Sequence, residues 1–494
     1  MHLIRNTDIQ LVITFALKKE VPKNWLESHN VPVCSIASLG SGALSRVYSN
    51  GSGMLAVITG SGPRASEEAA HWIHNNISPY FVLNIGTCGL INRDYELGNW
   101  IKPGRVVNEQ NEALDLDLRS PIPSVNDVSD VLSLISVHEA SKDVPQRWKA
   151  HDAVDRECFA QAKVFNKTRT SFHSLKFSTD YSDTHTESDF NKNLYLFTQA
   201  VKRVFNFLHD SMGKVSVVIP VYNREKTMVR AVDSVFEQSI KPEEIIVVND
   251  GSTDGTADVI KDYGNKIIGI NLPINSGPSA ARNEGVRHAK SDWIAFLDSD
   301  DCWEKDKLKS QKEFIDRYPF YQIMQSEEVW IRNGKRVNPC RHHEKKSGWI
   351  WEPSLHRCLI SPSGVMLRKS LFERHGGFDE HLPVCEDYDL WLKISRNHPV
   401  GLDSTMRIIK YGGHEDQLSQ KLPAMDRFRV KSLLGVLGNE QAQHYRKKII
   451  DVLREKLSIL IQGCEKRGKY SEADEFKSII TSLSVYPNNA DIAK

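Results

Sequence analysis

Where the segment DWIAFLDSDDCW, Asp292 to Trp303, leaves an apolar run, three carboxylates crowd four positions: Asp298, Asp300 and Asp301. Carboxylates gathered at the end of a buried strand suit two kinds of chemistry, holding a hard divalent cation through oxygen or moving protons on a substrate. Magnesium and manganese give up their waters reluctantly, so they usually take one or two protein carboxylates together with substrate phosphates. The DSD triplet therefore suggests a nucleotide diphosphate held with Mg2+ or Mn2+. Acid-rich loops also serve as helix caps and solvated turns, so the surrounding elements must decide.

Those elements read as α/β. KVSVVIPVYN (Lys214 to Asn223) has the pattern of a first strand. Apolar runs at Ile245 to Asn249, Ile267 to Asn271 and Trp293 to Leu297 then alternate with helical patterns over Thr253 to Tyr263 and Pro278 to Lys290. Such alternation predicts a mostly parallel sheet flanked by helices, with ligands at the carboxyl ends of its strands. IQLVITFAL (Ile9 to Leu17) reads as the first strand of a separate α/β domain. Apolar residues at Leu194, Phe197, Val201, Val204 and Leu208 carry the helical period that closes it. The expected organisation is a first domain over 1–210, a second over 214–435 and a helical tail over 436–494, with two amphipathic helices joined at Gly468.

Composition bounds the partners. A chain of 494 residues exceeds what one core usually organises. With 64 basic and 63 acidic residues, no global field draws it to nucleic acid or an anionic membrane. The eight cysteines form no CxxC pair, which fits free thiols in a reducing compartment. The apolar run Leu11 to Leu17 is too short to span a bilayer, so a cytoplasmic protein without a transmembrane segment is expected.

Five ordered motifs, VVIPVYNREKTMVRAVDSVFEQ, IIVVNDGSTDGT, NSGPSAARNEG, FLDSDD and GGFDEHLPVCEDYDLWLKIS, resemble the inverting family 2 glycosyltransferases of the GT-A fold over roughly residues 214 to 430. The resemblance implies a nucleotide-sugar donor and an acceptor hydroxyl. Pro220, Tyr222 and Arg224 would line the base and ribose pocket, Asp250 would bind the base, and Arg282 would meet the diphosphate. Asp298 would hold the ribose and Asp300 the metal, with His414 of KYGGHEDQLS completing the metal shell. An inverting transfer is a single displacement that needs one carboxylate to deprotonate the acceptor. Asp387 is the expected base, with Glu386 as the second choice. The stretch 330–360, basic and carrying Trp330, Trp349 and Trp351, is expected on the acceptor side.

In the first half, Glu20 follows a buried run, and LAVITGSGPRASEEAAHWI and YFVLNIGTCGLINRDYELGNWIKPGRVV place Gly-rich turns after strands. With AVDRECFAQAKVF and FSTDYSDTHTESDF, these resemble the nucleoside phosphorylase and methylthioadenosine/adenosylhomocysteine nucleosidase superfamily over about residues 9 to 208. By that resemblance Glu157 would hold the ribose hydroxyls of a purine nucleoside, Thr87 would flank the sugar, Asp180 would protonate the base and Glu20 would activate water. The superfamily usually has methionine where this chain has Arg156, which opens the way to a charged or phosphorylated substrate or to lost activity. Three readings stand together: a sugar transferase with a nucleosidase-like partner domain; a nucleosidase or phosphorylase as the main activity; and a first domain that only binds nucleosides or builds the homo-oligomer typical of that superfamily.

Overall fold

The computed structural model describes residues 10–17, 20–21, 32–36, 45–49, 54–116, 129–131, 133–139, 144–183, 186–207, 212–337, 344–412, 424–440 and 443–483. The chain divides into two compact units, Met1–Ser211 with Phe314–Phe320, and Met212–Glu313 with Tyr321–Lys494.

In the first unit, β1 (Leu11–Phe15), β2 (Met54–Ile58) and, after helix α1 (Pro63–Asn76), β3 (Phe81–Leu90) run parallel with β1 in the middle. β4 (Ala153–Asp155) meets the carboxyl end of β3 antiparallel, α2 (Cys158–Phe165) follows, and β5 (Ser171–Asp180) pairs β3 in parallel. α3 (Thr186–Phe207) comes next. Every residue of β1 and β2 is buried, as expected for strands covered on both faces. Val12, Val57, Val82, Ala70, Ile73, Phe159 and Ala162 share one core cluster, so α1 and α2 close one face of the sheet.

In the second unit, β6 (Val215–Val221), β7 (Glu244–Asp250), β8 (Ile268–Leu272), α4 (Pro278–His288) and β9 (Trp293–Phe296) come first. They are followed by β10 (Ile323–Arg332), β11 (Val365–Arg368), α5 (Glu386–Ser395) and β12 (Val400–Gly412). The sheet order is β8-β7-β6-β9-β11-β10-β12, ending on the short strand Cys302–Trp303. β8, β7, β6 and β9 are parallel. The order reverses at β6, which has its sequence neighbour β7 on one side and β9 on the other. Pairing of β6 with β9 stops at Val218, while pairing with β7 continues to Val221. Pro220, which has no N–H to give, therefore sits where the ladder toward β9 has already ended. The parted strand ends make the crevice in which parallel sheets bind ligands.

The tail is helical: α6 (Asp426–Asn439), α7 (Gln443–Glu465) and α8 (Tyr470–Leu483). Gly468, at φ +70°, turns the chain between α7 and α8. Leu433, Ile449, Leu453 and Leu457 join Tyr388 and Leu392 of α5 in one buried cluster, so the tail covers the back of α5. Trp351 belongs to this cluster too, fully buried and edge-on to Tyr445 with ring centroids 5.2 Å apart. This corrects its expected place on the acceptor side: the apolar indole is taken up by the tail core. Among the described residues no helix is long and apolar enough to cross a membrane.

Candidate active sites

In the second unit the site grows from the ends of β6, β7 and β9. Both oxygens of Asp250 accept backbone N–H groups, from Ser276 at 2.7 Å and Gly277 at 2.8 Å. The next residue, Gly251, has φ +65°, and a Cβ there would lie 2.4 Å from the carbonyl carbon of Ile274. Only glycine permits both that conformation and that approach. The Asp-Gly pair thus docks the loop that opens α4. Burial pushes the Asp250 carboxyl up, against the opposing pull of the two N–H groups. The loop after β6 is pinned in the same manner: Asn223 N–H donates to Ser252 Oγ at 2.9 Å and Arg224 N–H to Thr256 Oγ1 at 3.0 Å. Tyr222 is left exposed beside it.

Arg282, on α4, is buried, and its fork spans two elements. Nη2 lies 2.7 Å from Asp298 Oδ1 at the end of β9, and Nη1 lies 2.8 Å from Glu386 Oε1 at the start of α5. Its ring partner is Phe378, 5.2 Å away. The residue expected at the diphosphate is therefore engaged by two carboxylates, which tie the donor side of the crevice to the helix carrying the expected base. Burial works against ionised Asp298, but Arg282 and Lys410 hold its carboxyl below the usual range. Burial pushes Glu386 up, and Arg282 opposes it.

The third acid of the cluster, Asp301, is almost fully buried. It accepts from Ser363 Oγ at 2.6 Å and Tyr411 N–H at 3.1 Å, with Lys410 Nζ 3.9 Å away. Burial lifts its carboxyl to about 8. Asp300 is half-buried, and Arg230 grips its carbonyl oxygen at 2.6 Å while lying 3.5 Å over the Tyr411 ring. Lys410 was not expected here. Its pKa is raised: burial works against the charge, but Asp301, Glu328, Asp298 and Asp300 outweigh it, so the ammonium is the counter-charge of the whole cluster.

Asp387 is half-buried in the first turn of α5, with Oδ1 accepting Tyr388 N–H at 2.7 Å and Oδ2 3.5 Å from the Cys358 thiol. The residue before α5, Cys385, has φ 64°, a left-handed conformation uncommon outside glycine that turns the chain into the helix. Cys358 had no signal in the sequence, since the contact depends on how the segment before α5 folds.

Among the described residues no group of three or more His, Cys, Asp or Glu side chains forms a closed metal site, and His414 lies outside the described residues. Asp301 is bound by its hydroxyl and backbone partners and Asp298 by Arg282. The half-buried Asp300 carboxylate at a strand end fits an open site of the Mg2+ or Mn2+ kind, in which one or two carboxylates are joined by substrate oxygens.

In the first unit Asp155, Glu157 and Glu20 surround a buried lysine. Lys176 Nζ of β5 lies 2.7 Å from Asp155 Oδ2, with both side chains almost fully buried. Asp155 also accepts from Cys158 N–H at 2.9 Å and from the Ser136 hydroxyl. Glu157 Oε1 accepts Gly62 N–H at 3.1 Å and Ser61 Oγ at 3.4 Å. Glu20 is buried and accepts Leu17 N–H at 2.8 Å. Burial raises it to about 7, with Glu157 adding to the rise and Lys176 opposing it. Burial raises Glu157 also. Asp180, at the end of β5, accepts Ser182 N–H at 3.0 Å and Thr179 Oγ1 at 2.9 Å, and burial again pushes its carboxyl up. Thr87 is half-buried on β3, opposite Phe177. A cavity of about 210 Å³ bordered by Leu114, Phe165, Asn166 and Phe172 is lined by none of these acids.

Residues 216–375 match the family model described as glycosyl transferase family 2. An uncharacterized glycosyltransferase of Rickettsia felis is 36% identical over 42% of this chain and 34% of its own length. A putative teichuronic acid biosynthesis glycosyltransferase of Bacillus subtilis, TuaG, is 44% identical over 20% of this chain and 41% of its own. The chain thus spans about a third of the length of the first of these relatives and under half of the second. Among solved structures, S. aureus TarS 1-349 overlays with a TM-score of 0.43 at 22% identity, covering 53% of this chain and 78% of that one. The 5'-methylthioadenosine/S-adenosylhomocysteine nucleosidase of Neisseria meningitidis overlays with a TM-score of 0.34 at 14% identity, covering 40% and 96%.

Proposed function

We propose that the second unit is a metal-dependent inverting glycosyltransferase that moves a sugar from a nucleotide-diphosphate donor to an acceptor hydroxyl. The observation that carries this reading is the glycosyl transferase family 2 match over residues 216–375, which coincides with the crevice where the strand order reverses. Pro220, Tyr222 and Arg224 line the nucleobase and ribose side, with Asp250 holding the floor of that pocket through the 276–277 backbone. Asp298 serves the ribose. Asp300 and His414 hold Mg2+ or Mn2+, which supplies charge compensation for the leaving diphosphate. Asp387 accepts the proton of the attacking hydroxyl, with Glu386 as the alternative base. The Arg282 bridge opposes the rise that burial imposes on Glu386 and ties α5 to the end of β9. Arg282 keeps its assignment to the diphosphate beside this positioning role, since the bridge takes one N–H from each terminal nitrogen and leaves Nε without a partner. Free thiols at Cys88, Cys158, Cys302, Cys358, Cys385 and Cys464 agree with a cytoplasmic setting.

The test is release of nucleotide diphosphate from a panel of nucleotide sugars with Mn2+ or Mg2+. Asp300→Ala should abolish release. Asp387→Asn should lower turnover by about 10²-fold or more, with little change in donor binding. Silence across the panel, from protein that also binds no nucleotide diphosphate, would overturn the reading.

A second activity is proposed for the first unit, N-glycosidic cleavage of a purine nucleoside. It is favoured by two buried carboxyls, Glu20, which burial raises to about 7, and Asp180, which burial also pushes up. Glu20 activates water, Asp180 protonates the departing base, and Glu157 and Thr87 hold the sugar. Release of free base that is lost in Asp180→Asn supports this. The absence of base release despite nucleoside binding would instead favour a non-catalytic binding or oligomerisation module.

A further inference from the structure

Beside the buried acids of the first unit lies a cation that forms an ion pair with none of them. Arg156 stands between Asp155, which is paired with Lys176, and Glu157, which is bound to the Ser61–Gly62 loop. Its own guanidinium bonds neutral oxygens: Nε and Nη2 donate to the His138 carbonyl at 3.2 and 2.9 Å, and Nη1 donates to Ser61 Oγ at 3.2 Å. Among the described residues no carboxylate lies within ion-pair distance of it. Three of its five N–H donors are used, which leaves one on each terminal nitrogen.

Nη2 is 3.5 Å from where a Cβ on Gly62 would sit, so the guanidinium lies against the same loop that Glu157 grips. A half-buried arginine held in place by neutral acceptors, with no carboxylate bonded to it and terminal N–H groups to spare, is suited to bind a planar or tetrahedral oxyanion. It flanks Glu157, assigned to the ribose. Asp180, assigned to the base, makes its bonds elsewhere, to Thr179 and Ser182. An anion at Arg156 therefore belongs to the sugar end of a nucleoside.

We infer that the first unit binds a nucleoside carrying a phosphate on its sugar end, with Arg156 and Ser61 as the phosphate-recognising pair. This rests on the reading of that unit as a nucleoside site, and the two can fail separately. Calorimetric titration of the full chain with adenosine, adenosine 5'-monophosphate and inorganic phosphate tests it in wild type, Arg156→Met and Arg156→Lys. Because the second unit is itself proposed to bind nucleotides, the Arg156-dependent part of the signal is the readout.

The expected result is adenosine 5'-monophosphate binding about tenfold or more tighter than adenosine, a gap that closes in Arg156→Met and partly survives in Arg156→Lys. Equal affinity for the two ligands in wild type overturns the phosphate inference and leaves the nucleoside reading standing. A preference that persists unchanged in Arg156→Met places the anion elsewhere and overturns it too. Inorganic phosphate that tightens adenosine through Arg156, without any preference for the monophosphate, overturns the attachment and makes free phosphate the ligand. Binding of neither nucleoside nor monophosphate ends both readings.

Discussion

Arg282→Met removes the cation that bridges Glu386 and Asp298. The side chains are 6% exposed for Arg282, 11% for Glu386 and 24% for Asp298. Removing one partner of a buried ion pair costs about 3–5 kcal/mol. The partial exposure of Asp298 argues for the lower end, about 3 kcal/mol at pH 8. The deficit must depend on pH. Without the guanidinium, Glu386, already pushed up by burial, rises further above its unfolded value, and Asp298 rises with only Lys410 left to oppose it. Each unit of upward shift costs about 1.4 kcal/mol while the group is ionised. That cost is fully present above the folded-state value and is relieved as the pH falls toward the unfolded one.

A deficit of about 3 kcal/mol at pH 8 should therefore shrink to about 1–2 kcal/mol at pH 5. Urea unfolding at the two pH values reads it. The second unit's transition can be identified by its displacement in Gly285→Val, because even a Cβ there would lie 2.4 Å from Val218 Cγ1. Arg282→Lys should recover only part of the loss, since one ammonium cannot bridge both acids as the fork does. A deficit under about 1 kcal/mol at pH 8, or one equal at both pH values, would refute the buried-bridge argument.

Other consequences follow from the same geometry. Gly251→Ala forces a side chain into φ +65° and against the Ile274 backbone. It should cost about 2 kcal/mol or more and weaken nucleotide binding as the 276–277 loop undocks, read by urea unfolding and titration. Lys176→Met strands Asp155 in the core and should destabilise the first unit by about 3–5 kcal/mol, whereas a change below about 1 kcal/mol in its unfolding transition would show the pair to be solvated. If Glu20 is the general base, base release should rise with pH through about 7 as its carboxyl loses its proton. Asp180, pushed up by burial, must keep its proton to act as acid, so release should be lost as that carboxyl ionises. A flat profile between pH 5 and 9 would remove both from the chemistry.

The apolar runs of β1, β6, β7 and β9 and the Gly and Asp punctuation after them were legible because they are local: strand burial and turn chemistry are written over four to ten consecutive residues. The acids of the DSDD cluster, the Asp-Gly turn and the joint at Gly468 could therefore be placed on the right elements from the chain alone. What could not be read was which charge meets which. β12 returns antiparallel to Cys302–Trp303, pairing Trp303 with Ile408 and Cys302 with Ile409. That pairing brings Lys410 to Asp301, and Tyr411 bonds a residue 110 positions away. Arg282, expected to face a ligand, also spans Asp298 and Glu386, because α4, β9 and α5 converge there. Trp351 went to the tail core rather than to the surface. Spacing along the chain fixes the residue types at an element's end, but the partner of a buried charge is chosen by sheet order and helix packing, which bring distant segments within a hydrogen bond of each other.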